Sequence, residues 1–363
     1  MKILLGLSGG VDSSVAALIL KEQGHQVIGA RMTIKPEGLT NVLENGNSCY
    51  GSDEKKSIEA ARKVAQQLDI PFYVFDCSKR HKEIVLDNFK EEYLGGRTPN
   101  PCILCNALVK FGALIDEAKK SGLEFDKFAT GHYARVEEIL ASAACGASEG
   151  AKQYLLKRGL DPKKDQSYFL YRLNQEQLSN IIFPLGAYSK EQIREIALKN
   201  GLITANKPDS QDFYDGDYND LLNVEAKKGN IVDVEGKILG THQGIWNYTV
   251  GQRKGLPGGA CEPLYVLELR ECANEVVVGF AKNTLKQALV ANNPNWILKP
   301  TMPLKISVKI RSTQAPIEAD LKEDGGKLIV EFKEPQKSVT PGQSVVFYDG
   351  DIVLGGAIIE ETF

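Results

Sequence analysis

Two short segments of this 363-residue sequence carry side chains that could do chemistry. The first lies between a strand-like and a helix-like segment and reads Ser8-Gly9-Gly10-Val11-Asp12-Ser13-Ser14. Small residues let the backbone approach a phosphate closely, and a helix N-terminus directs N–H groups towards it. The lysine-containing P-loop pattern and the G-x-G-x-x-G pattern are both absent. The segment predicts another type of phosphate loop, in which Asp12 requires Mg²⁺ beside the phosphates; the alternative is an ordinary serine-capped turn.

The second segment holds Cys102 and Cys105 in a proline-stiffened loop between two predicted helices. Because a helix is predicted to begin at Asn106, the thiolate of Cys105 is expected to be stabilised and nucleophilic. The C-x-x-C spacing also suits two ligands of one metal or cluster, or a redox dithiol. Two half-buried thiols are a further alternative, which the polar loop disfavours.

Alternating strands and helices must position these segments. The patterns predict strands at Lys2–Leu7, Gln26–Met32, Phe72–Asp76 and Lys127–Gly131, and helices at Ser13–Gln23, Glu54–Leu68, Arg80–Tyr93, Asn106–Lys120, Gln175–Ile182 and Lys190–Asn200. This order predicts an α/β fold, a doubly wound parallel sheet with ligands at the carboxyl ends of its strands. Residues 35–48 are predicted to be a mobile loop, and residues 139–151 an insertion or a hairpin tip.

From about Tyr218 the pattern becomes β-rich, with frequent Gly and Pro turns. Strands are predicted at Asn230–Val234, Ile245–Val250, Glu275–Gly279, Leu304–Ile310, Lys327–Phe332 and Ser344–Tyr348. The chain is thus predicted to contain a catalytic α/β domain (1–205), a small linking domain (206–282) and a compact C-terminal barrel or sandwich (283–363).

Composition excludes several classes of protein. Hydrophobic residues are 42% and charged residues 25%, unlike collagen-like, disulfide-scaffold or disordered chains. With 44 Lys+Arg against 47 Asp+Glu, any nucleic-acid-binding surface must be a local basic patch. No segment approaches the ~20 apolar residues of a membrane helix, and the N-terminal apolar run is too short for a signal peptide. Seven cysteines without an export signal indicate the reducing cytoplasm.

The first segment resembles the SGGxDS loop of the ATP-pyrophosphatase (PP-loop) superfamily, whose members cleave ATP between its α- and β-phosphates and activate a substrate oxygen as an adenylate. Segments along the whole chain are similar to the bacterial tRNA-specific 2-thiouridylase family. They are GLSGGVDSS (Gly6–Ser14), RTPNPCILCN (Arg97–Asn106), ATGHYARV (Ala129–Val136), KDQSYFLY (Lys164–Tyr171), VGQRKGL (Val250–Leu256) and TPGQSVVFYDGDIVLGGAIIE (Thr340–Glu360).

This resemblance implies a C-terminal β-barrel and ATP-dependent replacement of O2 of the wobble uridine by sulfur. It implies an ATP site at Gly6, Leu7, Ser8, Gly9, Gly10, Val11, Asp12 and Ser13, bordered by Met32 and Gly131. It implies that Asn100, Pro101 and Cys102 face the base and that Cys105 is catalytic, with Cys102 beside it. The implied tRNA contacts are His132, Lys164, Asp165, Gln166, Arg311, Ser312 and Gln343; from its position alone, His132 would be a packing histidine.

The chain departs from the family at Tyr214, where a second cysteine is expected. Tyrosine cannot carry a persulfide or form a disulfide with Cys105, so the usual two-cysteine sulfur relay is in doubt. Cys49, Cys102 and Cys105 are therefore predicted to hold a 4Fe–4S cluster, by analogy with related three-cysteine thiolases. A dithiol relay of Cys102 and Cys105, or incidental cysteines, are the alternatives, and the sulfur donor is either a persulfide carrier or free sulfide.

Two other functions fit parts of the sequence. A PP-loop ligase or amidotransferase acting on a small acid would account for Gly6–Ser14 but not for the cysteine loop. A non-catalytic tRNA-binding relative would account for the missing cysteine but not for Asp12 together with Cys105. Release of pyrophosphate that depends on tRNA would separate these functions from thiolation.

Overall fold

The computed structural model describes residues 1–35, 49–50, 54–140, 150–209, 213–214, 216–258 and 262–363. Five parallel strands, β1 (Lys2–Gly6), β2 (Gln26–Thr33), β3 (Phe72–Asp76), β4 (Lys127–Thr130) and β7 (Ile181–Ile182), form one sheet in the order β3-β2-β1-β4-β7. Ile3 and Leu5 of β1 belong to one hydrophobic core, and Leu4 between them belongs to the other. Alternate residues therefore face opposite layers, which confirms the predicted doubly wound sheet.

Helices cover both faces of this sheet. They are α1 (Val11–Glu22), α2 (Glu54–Gln67), α3 (Ser78–His81), α4 (Asp87–Leu94), α5 (Pro101–Leu104), α6 (Leu114–Lys120), α7 (Gln175–Ser179), α8 (Lys190–Lys199) and α9 (Tyr218–Leu222). Two π-helical segments, Lys82–Leu86 and Cys105–Ala113, join α3 to α4 and α5 to α6. The cysteine segment is thus part of one helical stretch over residues 101–120.

A second sheet lies in sequence between the parallel sheet and the C-terminal strands. Its strands are β8 (Gly229–Val232), β9 (Ile238–His242), β10 (Tyr265–Arg270) and β11 (Glu275–Gly279), in the order β10-β11-β8-β9. Gly96, at the end of the α4 region, packs against Leu269 of β10, because a Cβ on Gly96 would lie 3.3 Å from the Leu269 Cβ. This small sheet therefore abuts the segment that leads into the cysteines.

Six antiparallel strands form the predicted C-terminal barrel: β12 (Leu285–Trp296), β13 (Leu304–Lys309), β14 (Ile317–Asp324), β15 (Lys327–Lys337), β16 (Ser344–Asp349) and β17 (Ile352–Thr362). Pairing of β12 with β17 closes it. The hairpin β5 (Ala134–Leu140) and β6 (Lys152–Arg158) extends the same sheet, with Leu156 opposite Val353. A hairpin that lies in sequence between β4 and β7 of the parallel sheet is thus hydrogen-bonded to the barrel.

Several predicted elements differ from the structure. The helix expected from Asn106 begins at Pro101, because proline suits a first helical position, where its fixed φ is helical and no N–H is needed. The strand expected at Ile245–Val250 is a short 3-10 turn, Ile245–Asn247, with consecutive residues Ile245 and Trp246 both buried. The helix expected over Gln175–Ile182 ends at Ser179. The loop predicted at residues 35–48 and the tip at 139–151 lie mostly outside the described residues.

No helix that the structure describes has the length and apolar character needed to cross a bilayer.

Candidate active site

The predicted phosphate loop joins the end of β1 to the start of α1. Ser13 Oγ accepts the Ser8 backbone N–H at 3.1 Å, which folds the loop back on itself. Gly9 has a φ of +76°, and a Cβ there would lie 2.7 Å from the Ala61 backbone nitrogen. A Cβ on Gly131 would lie 3.0 Å from the Ser13 nitrogen. Both glycines are required by close backbone approaches, and the first N–H groups of α1 remain available for an anion.

Asp12, in the first turn of α1, is the centre of an ion-pair network that sequence reasoning missed. Its Oδ1 accepts hydrogen bonds from the Tyr133 hydroxyl and the Lys190 ammonium, both at 2.7 Å. Lys190 also lies 2.7 Å from Asp209, and Lys164 lies 2.8 Å from Asp209. The Lys190 side chain is only 8% exposed, so this ammonium neutralises two carboxylates away from bulk water.

The pKa of Asp209 reflects these contacts. Burial raises the pKa of this carboxyl, but hydrogen bonds from Lys164 and Lys190 outweigh burial and hold it below its ordinary value. Two carboxylates facing one cation position are a donor set that Mg²⁺ accepts when substrate phosphates complete its coordination. Asp12 and Asp209 are thus ligands of the right type for the predicted Mg²⁺, although in this structure the Lys190 ammonium occupies the position between them.

Two further cations contact the phosphate loop. Lys207 donates a hydrogen bond to the Gly9 carbonyl at 3.0 Å, and Arg31 donates one to the Ser8 carbonyl at 2.6 Å. Burial lowers the pKa of both groups, and mutual repulsion lowers that of Lys207 further. Among the described residues neither forms an ion pair within 4.0 Å. Two partly desolvated cations beside the N-terminus of α1 suit a polyanion.

These cations were missed because no local pattern marks them. Arg31 lies beside Met32, which was predicted to border the nucleotide and is half-buried on β2. Lys190 occupies the first position of α8, after the predicted cap Ser189. Lys207 and Asp209 lie shortly before Tyr214, in a segment for which the sequence predicted only the absence of a second cysteine.

The cysteine segment begins at Asn100, the N-cap of α5, with Pro101 in the first helical position. Cys102 is therefore in the first turn, and Cys105 lies one turn further along the same face. Burial raises the pKa of Cys105 to about 11, with Lys110 acting in the opposite direction and Cys49 adding to the rise. The expectation that a helix N-terminus activates the Cys105 thiolate is wrong for this conformation, because the helix starts four residues earlier.

The remaining cysteines divide into two groups. Cys77 is buried, and burial raises its pKa to about 12. Cys272 is exposed, and so is Cys49; Cys145 and Cys261 lie outside the described residues. Within the described part of the chain, no three His, Cys, Asp or Glu side chains are placed to hold one metal ion. As arranged here, Cys49, Cys102 and Cys105 do not supply the predicted cluster site.

An aromatic cluster occupies the place of the expected second cysteine. Tyr214 is 4% exposed, and its ring lies 6.3 Å from that of Tyr50 and 6.4 Å from that of Tyr218. The backbone N–H of Tyr50 donates to the Phe213 carbonyl at 2.9 Å, which fixes the residue after Cys49 beside Tyr214. His81 is fully buried between Tyr50 and Phe213, and neither ring nitrogen has a hydrogen-bond partner among the described residues. Tyr214 is thus accommodated at this position by packing against aromatic rings.

His132 connects the two halves of the site. It follows Gly131, which lies against the phosphate loop, and its ring lies 5.8 Å from that of Phe111 on the cysteine helix. Its Nδ1 is 2.7 Å from the Thr130 hydroxyl, and burial lowers its pKa well below the ordinary value. In this structure His132 is a neutral packing histidine that holds the phosphate loop and the cysteine helix together.

Most of the other residues implied to contact tRNA form bonds within the chain. Lys164 pairs with Asp209, and Gln166 accepts the Tyr133 N–H at 3.0 Å. Asp165 has no exposed side-chain surface and pairs with Arg158 at 3.1 Å. Ser312, Asn100, Pro101 and Cys102 are half-buried and reach the surface.

Arg311 and Gln343 likewise bond to the protein. Arg311 donates to the Ser338 carbonyl at 3.0 Å and to the Thr340 hydroxyl at 2.8 Å. Gln343 donates to the carbonyl of Thr98 at 2.8 Å. Both residues are half-buried, so a tRNA contact would compete with these bonds.

Comparison with known protein families places the whole chain. The family model described as "tRNA methyl transferase HUP domain" matches residues 1–214, the "tRNA methyl transferase PRC-barrel domain" matches residues 221–280, and the "Aminomethyltransferase beta-barrel domain" matches residues 286–359. These three matches follow the parallel sheet, the linking sheet and the closed barrel in order.

Curated relatives extend over nearly the full length of the chain. The tRNA-specific 2-thiouridylase MnmA of Endomicrobium trichonymphae is 51% identical, covering 99% of both chains. MnmA 1 of Caldanaerobacter subterraneus subsp. tengcongensis is 44% identical and MnmA of Clostridioides difficile 42%, each covering 99% of this chain and 98% of the relative. A phosphate loop ringed by cations, a cysteine helix beside it and this end-to-end identity lead to one conclusion: the chain belongs to the tRNA-specific 2-thiouridylase family.

Proposed function

We propose that this chain is a tRNA-uridine 2-sulfurtransferase, which uses ATP to adenylate O2 of the wobble uridine and then transfers sulfur to C2. The observation that carries the proposal is the junction at Gly131 and His132. One residue lies against a phosphate loop equipped for a polyanion, and the next packs on the helix that bears Cys102 and Cys105. An activating site and a sulfur-bearing site therefore meet at two consecutive residues.

In the activation step, loop residues 6–13 bind the ATP phosphates, with Met32 and Gly131 bordering the nucleotide. Arg31 and Lys207 are free to exchange their bonds to loop carbonyls for bonds to phosphate oxygens. Asp12 and Asp209 would hold Mg²⁺, which neutralises phosphate charge when bound. Lys190 keeps the two carboxylates apart and oriented. Stabilising the departing pyrophosphate is the main contribution these cations make to the rate.

In the sulfur step, the terminal sulfur of a Cys105 persulfide attacks C2, and AMP leaves with O2. The Cys102 thiol, one turn away, then attacks the Cys105 sulfur of the resulting C2–S–S–Cys105 disulfide, which releases 2-thiouridine and leaves a Cys102–Cys105 disulfide for an external thiol to reduce. With free sulfide as the donor, hydrosulfide attacks C2 directly and no reduction is needed. Because its resting thiol has a pKa near 11, Cys105 is protonated at neutral pH and gains a nucleophilic sulfur by receiving one from a donor. Asn100, Pro101 and Cys102 line the pocket for the base, which must leave its stack to react. Neutral His132 holds this pocket against the phosphate loop.

A 4Fe–4S cluster on Cys49, Cys102 and Cys105 remains a proposal without support from the arrangement of these residues, and no step here runs through it. Its test is iron and sulfide analysis of protein purified without oxygen, with the Cys49→Ala and Cys102→Ala variants. Loss of iron and activity together in both variants would support the cluster. Full activity of iron-free protein, supplied by a desulfurase and cysteine, would leave a relay centred on Cys105.

The linking domain (206–282) and the barrel (283–363) grip the tRNA, and residues 1–205 perform the chemistry. Arg253 and Lys254, both exposed in the VGQRKGL segment, suit phosphate contacts. Ser312 and Lys164 reach the surface and retain their implied tRNA roles. His132, Asp165, Gln166, Arg311 and Gln343 would have to give up bonds within the chain to do so. The proposed site of action is the cytoplasm, on the evidence of cysteine usage.

The deciding experiment incubates the purified chain with ATP, Mg²⁺, tRNA and a sulfur donor, and measures pyrophosphate and 2-thiouridine. Both products must depend on tRNA. Asp12→Ala is expected to abolish pyrophosphate release but keep tRNA affinity, whereas Cys105→Ser is expected to keep release but lose 2-thiouridine. Cys272→Ser, an exposed cysteine far along the chain, is the matched control. Pyrophosphate release driven by a small acid would indicate a ligase, and binding without turnover a non-catalytic relative.

A further inference from the structure

The barrel reaches the cysteine segment through the turn that precedes β16. Gln343 Nε2 donates to the Thr98 carbonyl at 2.8 Å, and the Thr98 N–H donates to the Pro341 carbonyl at 2.9 Å. Thr98 lies two residues before Asn100, the N-cap of the cysteine helix. The turn therefore holds the entry to that helix by hydrogen bonds in both directions.

The shape of this contact requires glycine at position 342. Gly342 has a φ of +89°, and a Cβ there would lie 2.7 Å from the Thr98 nitrogen and 3.0 Å from the Arg97 Cβ. Backbone thus packs directly on backbone, a contact that leaves little freedom for residues 97–98 to shift.

A second contact joins the barrel to residues 165–171. Lys309 of β13 is 4% exposed on its side chain and lies 3.7 Å from Asp165, whose side chain has no exposed surface. Asp165 also accepts the N–H groups of Gly159 at 3.2 Å and Ser167 at 3.1 Å. Tyr168 donates its hydroxyl to the Ser344 carbonyl at 2.8 Å. A buried carboxylate with these partners fixes the segment to the barrel wall.

The residues on either side of Asp165 lead to the phosphate loop. Lys164 pairs with Asp209 at 2.8 Å. Gln166 donates its N–H to the Tyr133 carbonyl at 2.9 Å and accepts the Tyr133 N–H at 3.0 Å. The Tyr133 hydroxyl in turn donates to Asp12 at 2.7 Å. Three consecutive residues thus have separate partners. Lys164 binds Asp209, Asp165 binds the barrel, and Gln166 binds Tyr133, which contacts Asp12.

We infer that the barrel is a positioning element of the active site, which sets the cysteine helix through Gln343 and the phosphate loop through Lys309 and Asp165. This positioning role is separate from tRNA binding by the barrel. It rests on the proposed function only for the identity of the polyanion, ATP. Because the two anchors lie on different elements, the turn before β16 and strand β13, and reach different halves of the site, each should be separable from the other.

The test compares Gln343→Ala with Lys309→Met in the full chain, with Gln336→Ala and Lys333→Met as controls. Gln336 bonds to Gln314 and Glu334 within the barrel, and Lys333 forms an exposed pair with Asp320 at 2.8 Å. Three quantities are measured: the rate at which iodoacetamide alkylates Cys105, Mg·ATP affinity by calorimetry, and tRNA affinity by gel shift.

Each variant is expected to change a different one of these quantities. Gln343→Ala should raise the Cys105 alkylation rate about fivefold, the equivalent of one lost hydrogen bond, and leave ATP affinity within about twofold. Lys309→Met should weaken ATP binding about tenfold and leave alkylation within about twofold. Lys309→Met should leave tRNA affinity unchanged, and the controls should leave all three quantities unchanged.

The inference would be overturned if one of the two variants changed the Cys105 alkylation rate and the ATP affinity equally. It would also be overturned if a variant changed neither quantity. A loss of tRNA affinity in Gln343→Ala with alkylation unchanged would overturn it as well, since Gln343 would then be a tRNA contact only. If Lys309→Met does not fold, Lys164→Met, 39% exposed on its side chain, must weaken ATP binding without changing alkylation. The alkylation measurement needs no ligand, so it decides the Gln343 anchor even if the chain proves not to bind ATP.

Discussion

Replacement of Lys190 by methionine perturbs the active site at a buried ammonium that contacts two carboxylates. Its ammonium lies 2.7 Å from both Asp12 and Asp209, and its side chain is 8% exposed. Methionine keeps the length and much of the apolar stem but removes the charge. Two carboxylates would then face each other beside the phosphate loop without the cation that neutralises them.

The magnitude follows from burial. Removing one partner of a buried, hydrogen-bonded charge pair costs about 2–5 kcal/mol. The side chains of Asp12 and Asp209 are 31% and 22% exposed, so water recovers part of that cost and the lower end applies. A loss of about 2 kcal/mol corresponds to about a 30-fold fall in kcat/KM for ATP. High Mg²⁺ should restore part of the activity, because it can occupy the space between the two carboxylates.

The assay is tRNA-dependent pyrophosphate release at several ATP and Mg²⁺ concentrations, with a urea unfolding curve for each variant. Lys199→Met, at the exposed C-terminal end of the same helix, is the matched control and should behave as wild type. Wild-type kcat/KM in Lys190→Met would refute the reasoning. So would an equal loss in Lys199→Met, because the effect would then belong to the helix and not to the ion pair.

Three further outcomes are expected. Because burial raises the pKa of Cys105 to about 11, its alkylation rate should rise about tenfold per pH unit between pH 7 and 10, as the thiolate fraction does; a plateau below pH 9 would contradict this. Lys110→Met should slow that alkylation at a fixed pH, since the Lys110 charge lowers the Cys105 pKa; an unchanged rate would remove Lys110 from the electrostatics of the site. Burial lowers the pKa of His81 to about 4 from an ordinary 6.5, so the stability contributed by its neutral form is complete above pH 6.5 and is lost as pH falls towards 4. Between pH 7.5 and pH 5.0, the free energy of unfolding measured in urea should therefore fall by about 2 kcal/mol less in His81→Phe than in wild type. The control is His25→Gln, at a partly exposed position, which should show the same fall as wild type.

The local features of the active site were determined by the sequence. A run of glycine and serine between a strand and a helix allows few backbone paths, so the phosphate loop at residues 8–14 could be predicted from its residues alone. The apolar run within Lys2–Leu7 predicted a strand, and the structure places its neighbours Ile3 and Leu4 in different cores. The β-rich half was recognised from its turns, but its closure into a barrel required the pairing of β12 with β17.

The tertiary structure alone decided which charges surround the loop and which thiol is nearer a helix N-terminus. Lys190 and Asp209 meet Asp12 from 178 and 197 residues further along the chain, and no local pattern encodes such a meeting. Asp165 looks like part of a solvated turn in the sequence, yet Lys309 and Arg158 hold it fully buried. Backbone conformation depends on neighbouring residues, whereas burial and ion pairing depend on which distant segments pack together. For this reason Lys164–Gln166 could be found by its sequence pattern, but its contact with the barrel wall could not be predicted.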